Sequence, residues 1–324
     1  MTAENGLICA YRLDGKGGGE LIEWDAVRSH DSDARTLWVH LDRKSEQAQQ
    51  WLKNEAGLEA HVCEAMLQED TRPRVERMDD GVLMILRGVN LNAGADPEDM
   101  ISIRMWVESQ RIVSLRYPRL QAVQSVRDSL EAHKGPQDAG DFVVQLIDAL
   151  TDRMDPVIAE LEAQIEQFEA ISTDESFQPD GRLLSELRRR AITLRRYVAP
   201  QREAVSRLQI EPLTWLDDAR RARLRESVDQ IRRYVEDLDL ACEHVIIIQD
   251  QMQNRMSERM NRTMYLLSII AAIFLPLGLL TGLLGINVGG IPGVHSDIAF
   301  WVVCVVLLVL AFIQIRIFRR MRFF

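Results

Sequence analysis

Two apolar runs near the C-terminus, with a short glycine-rich turn between them, decide how this chain is organised. From residue 264 to residue 315 the sequence reads MYLLSIIAAIFLPLGLLTGLLGINVGGIPGVHSDIAFWVVCVVLLVLAFIQI. As helices, the runs 264–284 and 298–315 would each be about 30 Å long, which is one hydrocarbon thickness of a bilayer. The sequence therefore predicts two membrane spans joined by a tight turn, whose glycines permit backbone angles closed to other residues.

Charge is divided unevenly between this apolar segment and the rest of the chain. The protein has 324 residues, 27% of them charged, which fits a large water-soluble part and a small membrane part. Beyond residue 263 there are four arginines and one aspartate, whereas the first 263 residues carry 35 basic and 48 acidic side chains. A soluble part this acidic would repel the phosphates of a nucleic acid, which argues against such a partner. The negative charge is compatible either with attracting cations or simply with keeping the protein soluble.

The basic residues also predict the orientation in the membrane. Arg255, Arg259 and Arg262 precede the first run, four arginines follow the second, and the turn has no lysine or arginine. By the positive-inside rule, both termini are then cytoplasmic and the turn is external. The N-terminus lacks the features of a signal peptide, and four scattered cysteines without a CxxC pair suit a reducing cytoplasm. We therefore expect a multi-pass protein of the cell inner membrane, in contact with the lipid bilayer.

The soluble part divides into three predicted segments. Residues 1–137 form a mixed α/β domain, with strand candidates at 7–13, 37–41, 82–86, 101–107 and 112–115 and helical patches at 45–55 and 59–69. Residues 138–216 have apolar side chains at steps of three and four, which predicts an antiparallel helical hairpin interrupted at Pro156. Residues 217–263 form a charged amphipathic stalk helix, and no proline or glycine interrupts it before Pro276.

The membrane part completes the predicted architecture. It comprises a first span at 264–287, an external loop at 288–297, a second span at 298–316 and a basic cytosolic tail at 317–324. The fold class is thus an α+β cytosolic domain, a mixed sheet with helices, followed by a long-helix stalk and two C-terminal transmembrane helices. Two spans cannot enclose a polar path alone, so the chain is either an anchor or one of several copies around a channel.

A stripe along one side of the long helix favours a channel. It begins at the carboxylate of Asp250, passes the amide of Asn261 and continues through Met264, Leu267 and Leu275. This order is typical of a narrow pore with hydrophobic constrictions, although a seam for helix packing has a similar pattern. The stripe leads to the turn, which offers four further candidates for contact with a cation: Gly285, Asn287, His295 and Asp297.

Other residues of ligand type are arranged poorly for binding within one chain. The adjacent residues Cys242, Glu243 and His244 diverge on a helix, and so do His61 and Cys63. Methionines at four-residue steps, Met252, Met256, Met260 and Met264, drift around the helix, so that only Met264 reaches the stripe and packing better explains the other three. No nucleotide-binding or hydrolase motif is present, so neither a catalytic residue nor a resident cofactor is predicted.

These features together resemble the CorA family of divalent metal ion transporters. The resemblance lies in the acidic α/β domain, the hairpin, the very long helix, the two spans and the motif Gly285-Ile286-Asn287, where magnesium-transporting members have Gly-Met-Asn. Residues 281–293 look like the zinc-transporting ZntB branch. The resemblance implies a funnel-shaped homopentamer in which Asn287 meets the hydrated ion and Gly285 presents backbone carbonyls. It also implies that Asn261, Met264, Leu267 and Leu275 line the pore, with Asp250 near its cytosolic end.

Departures from the family pattern shape the functional prediction. Residues 288–292 contain no carboxylate, whereas magnesium-transporting members carry an acidic motif after Gly-Met-Asn. The neutral mouth favours zinc uptake as the function, with magnesium, cobalt or nickel as the alternative ions. Proton coupling is implied by the ZntB resemblance, but no carboxylate lies inside either span. The rival from another class is a membrane-anchored sensor or scaffold that carries no ion flux.

Overall fold

The computed structural model describes residues 6–29, 35–78, 81–172, 181–286, 293 and 296–320. Within them, one mixed sheet contains seven strands. They are β1 (Leu7–Leu13), β2 (Gly19–Ile22), β3 (Leu37–Asp42), β4 (Arg74–Met78), β5 (Gly81–Gly88), β6 (Ile101–Val107) and β7 (Arg111–Arg116). The five predicted strands are confirmed within a residue or two, whereas β2 and β4 were not predicted.

The sheet is antiparallel except at its centre. The strand order is β2-β1-β3-β7-β6-β5-β4, and β3 pairs with β7 in parallel register, Leu37 opposite Arg111. Strands β5, β6 and β7 follow one another as antiparallel neighbours. Because the parallel pair lies in the middle of the sheet, its strands are buried on both faces and are rich in β-branched and aromatic residues.

Helices cover both faces of the sheet. One face packs apolar side chains such as Val39 and Val113 against α2 (Glu46–Asn54) and α3 (Ala60–Leu67), which follow α1 (Trp24–Arg28). The other face lies beneath α4 (Gln121–Glu131) and α5 (Ala139–Asp152), where Phe142 contacts Trp38 with ring centroids 4.7 Å apart. The prediction of helical patches at 45–55 and 59–69 is confirmed by α2 and α3.

The helices after the sheet follow the predicted apolar spacing. Helix α5 ends at Asp152 and α6 (Asp155–Ser172) begins three residues later, so Pro156 lies in the first turn of a new helix, where its missing N–H has no cost. Helix α7 (Gly181–Ile210) lies beside α6, where Arg190 donates a hydrogen bond to Gln164 at 2.8 Å. Arg189 and Arg190 also hold the buried Glu98 carboxylate, at 3.2 and 3.4 Å.

The long helix α8 (Asp218–Gly285) has 68 residues, and it continues through Pro276, before which it contains no proline or glycine, to Gly285. Its first half buries side chains at steps of three and four, including Leu224, Val228, Ile231, Val235, Leu238, Val245 and Ile248. Polar contacts reinforce that packing: Arg223 pairs with Asp148 at 2.7 Å, and Tyr234 donates to Asp155 at 3.2 Å.

The described chain forms two compact units, Met1–Gln249 and Asp250–Phe324. The second unit contains the C-terminal part of α8 and helix α9 (Ala299–Arg320). Both helices are long and apolar enough to cross a membrane. Only 6% and 0% of the residues in their most apolar 18-residue windows are buried, which separates them from the core helices of a soluble protein.

Candidate functional site

The predicted path residues of the second unit lie on one continuous helix. Asp250 and Asn261 are exposed on α8, and Met264, Leu267 and Leu275 have relative exposures of 58%, 61% and 71%. Exposed apolar side chains in a membrane helix contact lipid or another copy of the chain. The structure thus leaves this side of α8 open along its length.

The helical geometry separates one of these residues from the others. Measured from Asp250 at about 100° per residue, Asn261, Met264 and Leu275 lie within about 40°, but Leu267 lies about 100° away. Leu267 approaches the same face only if α8 is underwound to about 3.5 residues per turn, as in a supercoiled bundle, where the angle falls to about 50°. A pore position for Leu267 therefore requires supercoiled neighbours.

Three polar residues on this face were missing from the predicted path: Asn254, Ser257 and Ser268. Measured from Asp250 they lie at about 40°, 20° and 0°, so they project from angles similar to that of Asn261. All three are exposed in the chain. The signal that identifies them is the same angular comparison with Asp250, extended to every polar residue of the helix.

The turn after the first apolar helix is described only in part. Gly285 is the last residue of α8, and Asp297 lies exposed just before α9 begins at Ala299. Asn287 and His295 lie outside the described residues. The predicted mouth therefore remains a prediction from the sequence, and the structure provides the helix end that precedes it.

A metal site built by one chain is not found among the described residues. No group of three or more His, Cys, Asp or Glu side chains there could hold a metal ion. His61 pairs with Glu59 at 3.0 Å, while Cys63 is buried and its Sγ donates to the carbonyl of Leu52 at 3.3 Å. Burial raises the pKa of the Cys63 thiol, which disfavours the thiolate that metals bind.

His244 likewise has a structural partner. Its Nε2 lies 2.9 Å from a Glu169 carboxylate oxygen, across from α8 to α6. His244 lines an open cleft of about 440 Å³ together with Glu162, Glu166, Glu243 and apolar residues. Burial, with nearby Asp237 and Glu166, raises the pKa of Glu162. Of the adjacent trio, Glu243 and His244 therefore share the acidic cleft, whereas Cys242 is not among its lining residues.

Comparison with known proteins gives a consistent result over nearly the whole chain. The family model described as CorA-like Mg²⁺ transporter protein matches residues 33–320. The divalent cation transporter CmaX of Pseudomonas aeruginosa is 42% identical over 322 residues, covering 98% of this chain and 97% of that protein. The zinc transport protein ZntB of Yersinia pseudotuberculosis is 36% identical over 303 residues, covering 94% and 91%.

A solved structure extends the likeness to three dimensions. The structure of the full-length CmaX protein superimposes with a TM-score of 0.87 at 42% sequence identity, covering 99% of both chains. A likeness of this extent includes the mixed sheet, the long helix and the two apolar C-terminal helices together.

Proposed function

The chain belongs to the CorA-like Mg²⁺ transporter family, and on that premise we propose that it takes up Zn²⁺ through the central pore of a homopentamer. Family membership makes it a divalent cation transporter of the membrane and not an enzyme. The finer points are the ion, the number of copies, the pore residues and the orientation.

The observation that carries the pore is the open face of α8. A single chain offers two apolar helices and therefore cannot surround a polar path. Yet Asp250, Asn261 and Leu275 follow one another on an exposed face that runs into the apolar segment. Several copies arranged about one axis would turn these faces towards each other and enclose the path. The resemblance to the family supports five copies.

The proposed path would act on a hydrated ion. Removing the water shell of a small divalent cation is costly, whereas neutral oxygens can hold the shell by hydrogen bonds. In this proposal, amides from Asn287 and carbonyls from Gly285 hold the hydrated ion at the mouth, and His295 and Asp297 lie nearby on the same loop. Met264, Leu267 and Leu275 form the hydrophobic constrictions, and Asp250 attracts the ion at the cytosolic end.

Zinc is favoured over the alternative ions by two facts. Several relatives of the chain, at about 36% identity, are named zinc transport proteins. In addition, residues 288–292 contain no carboxylate and so lack the acidic motif of magnesium-transporting members, which counts against magnesium. Magnesium, cobalt and nickel are the competing ions for this pore. The arginines on both sides of the spans support cytoplasmic termini and a location in the cell inner membrane.

Flux measurements in proteoliposomes test the proposal. The purified full chain should take up ⁶⁵Zn²⁺, and added Mg²⁺, Co²⁺ and Ni²⁺ should show by competition which ion is preferred. The same assay with and without a pH gradient decides whether protons are coupled. A sensor or scaffold would give no flux of any of these ions, and that result would refute the proposed function.

We expect Asn287→Ala to abolish uptake without changing the size of the oligomer, because the amide ring at the mouth is lost. Asn54→Ala is the matched control, since Asn54 is an exposed asparagine at the end of α2, far from the spans in sequence. Initial ⁶⁵Zn²⁺ rates and size-exclusion profiles of both variants provide the measurement. Normal uptake by Asn287→Ala would remove Asn287 from the pore.

A further inference from the structure

The apolar part of the first span contains two aliphatic hydroxyl groups, and they differ in position on α8. Ser268 lies seven residues from both Asn261 and Leu275, or about two turns, so it shares their face of the helix. Thr281 lies six residues beyond Leu275 and projects about 120° away from it. Both side chains are exposed in the chain.

Both hydroxyl groups donate to backbone carbonyls of the preceding turn. Ser268 Oγ donates to the carbonyl oxygen of Met264 at 2.9 Å, and Thr281 Oγ1 donates to those of Leu277 and Gly278 at 3.0 and 3.1 Å. Each proton is thus directed back to the helix backbone. The hydroxyl oxygen keeps its lone pairs and can only accept further hydrogen bonds.

An oxygen that only accepts suits one kind of ligand. Water molecules around a cation point their hydrogens outwards, so they donate to acceptors on the wall, whereas the shell of an anion would need donors. Among the described residues from Met264 to Leu284, Ser268 is the one aliphatic hydroxyl on the face of Asn261 and Leu275. It extends the series of polar side chains from Asn254 and Asn261 into the hydrocarbon region, where polar groups commonly mark transport paths.

We propose that Ser268 lines the conduction path as an outer-shell binding position for the hydrated divalent cation, between the constrictions at Met264 and Leu275. The inference rests on the proposed pore and adds a residue to it. Copies of Ser268 around the axis would present a ring of acceptor oxygens, and a cation that passes one apolar constriction would recover hydrogen bonds before the next. Thr281 has the same chemistry but does not take part.

The experiment compares Ser268 and Thr281 in ⁶⁵Zn²⁺ uptake by the full chain in proteoliposomes. Ser268→Ala should lower the initial rate about tenfold, because hydrogen bonds to the hydrated ion are lost near the barrier. Ser268→Thr, which keeps an acceptor oxygen, should stay within about twofold of the unsubstituted chain. Thr281→Ala should leave the rate unchanged. Ser268→Cys replaces Ala if that variant does not assemble, since sulfur accepts hydrogen bonds only weakly.

The outcomes separate this inference from the proposed function. Normal uptake by Ser268→Ala, with uptake abolished in Asn287→Ala, would overturn the role of Ser268 and leave the pore intact. Equal losses in Ser268→Ala and Thr281→Ala would indicate a packing effect and also overturn it. No uptake by the unsubstituted chain would refute the proposed function and this inference together.

Discussion

A single neutral histidine organises the hydrogen bonds on one face of the sheet. His40 is completely buried, and its Nε2 accepts from Arg116 Nε at 3.1 Å, so the ring proton is on Nδ1 and is donated to Ser114 Oγ at 2.8 Å. Ser114 also accepts from Trp38 Nε1 at 2.8 Å and donates to the carbonyl of Val39 at 3.2 Å. Burial, reinforced by the charges of Arg116 and Arg127, holds the His40 pKa well below its usual value.

This depressed pKa predicts a loss of stability in acid. Below about pH 6.5 the unfolded chain binds a proton at this histidine while the folded chain does not, so unfolding takes up a proton. The free energy of unfolding then falls by about 1.4 kcal/mol per pH unit from this group. The free energy of unfolding can be measured by urea titration of the full chain in detergent. His40→Gln should reduce the decrease in that free energy between pH 7.5 and 5.5 by about 1 kcal/mol. His61→Gln, at an exposed histidine, is the control. An equal decrease in the free energy of unfolding for the unsubstituted chain, His40→Gln and His61→Gln would contradict the prediction.

At the scale of elements, the sequence predicted what depends on local pattern. Strands such as β1 and β6 follow from runs of apolar residues, and the part of α8 before Pro276 follows from the absence of proline and glycine. Strand β4 was not predicted because its sequence, Arg-Val-Glu-Arg-Met, is mostly polar and contains no apolar run. Polar residues are common in an edge strand such as β4. The parallel pairing of β3 with β7 joins residues more than 70 positions apart, which no local pattern encodes.

Buried arginine is a second element-scale feature that pattern alone does not reveal. Arg104 lies in β6 with 1% exposure, and its Nη2 donates to the carbonyls of Gln68 and Glu69 at 2.8 and 3.1 Å. These carbonyl groups directly follow the C-terminal end of α3, where the helix dipole favours a positive charge. In the proposed ion path, likewise, helical spacing places Asn261 and Leu275 on one face, but the angle of Leu267 depends on supercoiling with neighbouring copies.

The two sides of the apolar part of α8 should respond differently to truncation. Leu275 is on the face of Asn261, and Leu266 lies nine residues before it, about 180° around the helix, with exposures of 71% and 53%. Leu275→Ala widens a hydrophobic constriction, so we expect the initial ⁶⁵Zn²⁺ rate to rise about threefold. Leu266→Ala, facing away from the path, should leave the rate unchanged. A rise in both variants, or in Leu266→Ala alone, would place the constriction elsewhere.

At the scale of the whole molecule, the proposed function requires several copies to share one path. Each chain contributes an open face of α8 and one Asn287, and the resemblance to the family implies five copies. In a shared pore, the mouth is a ring to which every chain contributes, so one altered chain can disable the assembly. If each chain conducted separately, altered and unaltered chains would act independently.

Mixed oligomers distinguish these arrangements. When the unsubstituted chain and Asn287→Ala are co-expressed in equal amounts, random assembly gives about one fully unsubstituted pentamer in 32, so we expect about 3% of full uptake if every asparagine is needed. Separate paths would leave about half of the uptake, and a dimer with a shared path about a quarter. Mixing with Asn54→Ala, which keeps all five Asn287 side chains, should retain full uptake. If uptake falls in proportion to the fraction of Asn287→Ala chains, a common mouth is excluded. A mouth shared between copies makes uptake fall more steeply than that fraction rises, because one altered chain disables the whole assembly.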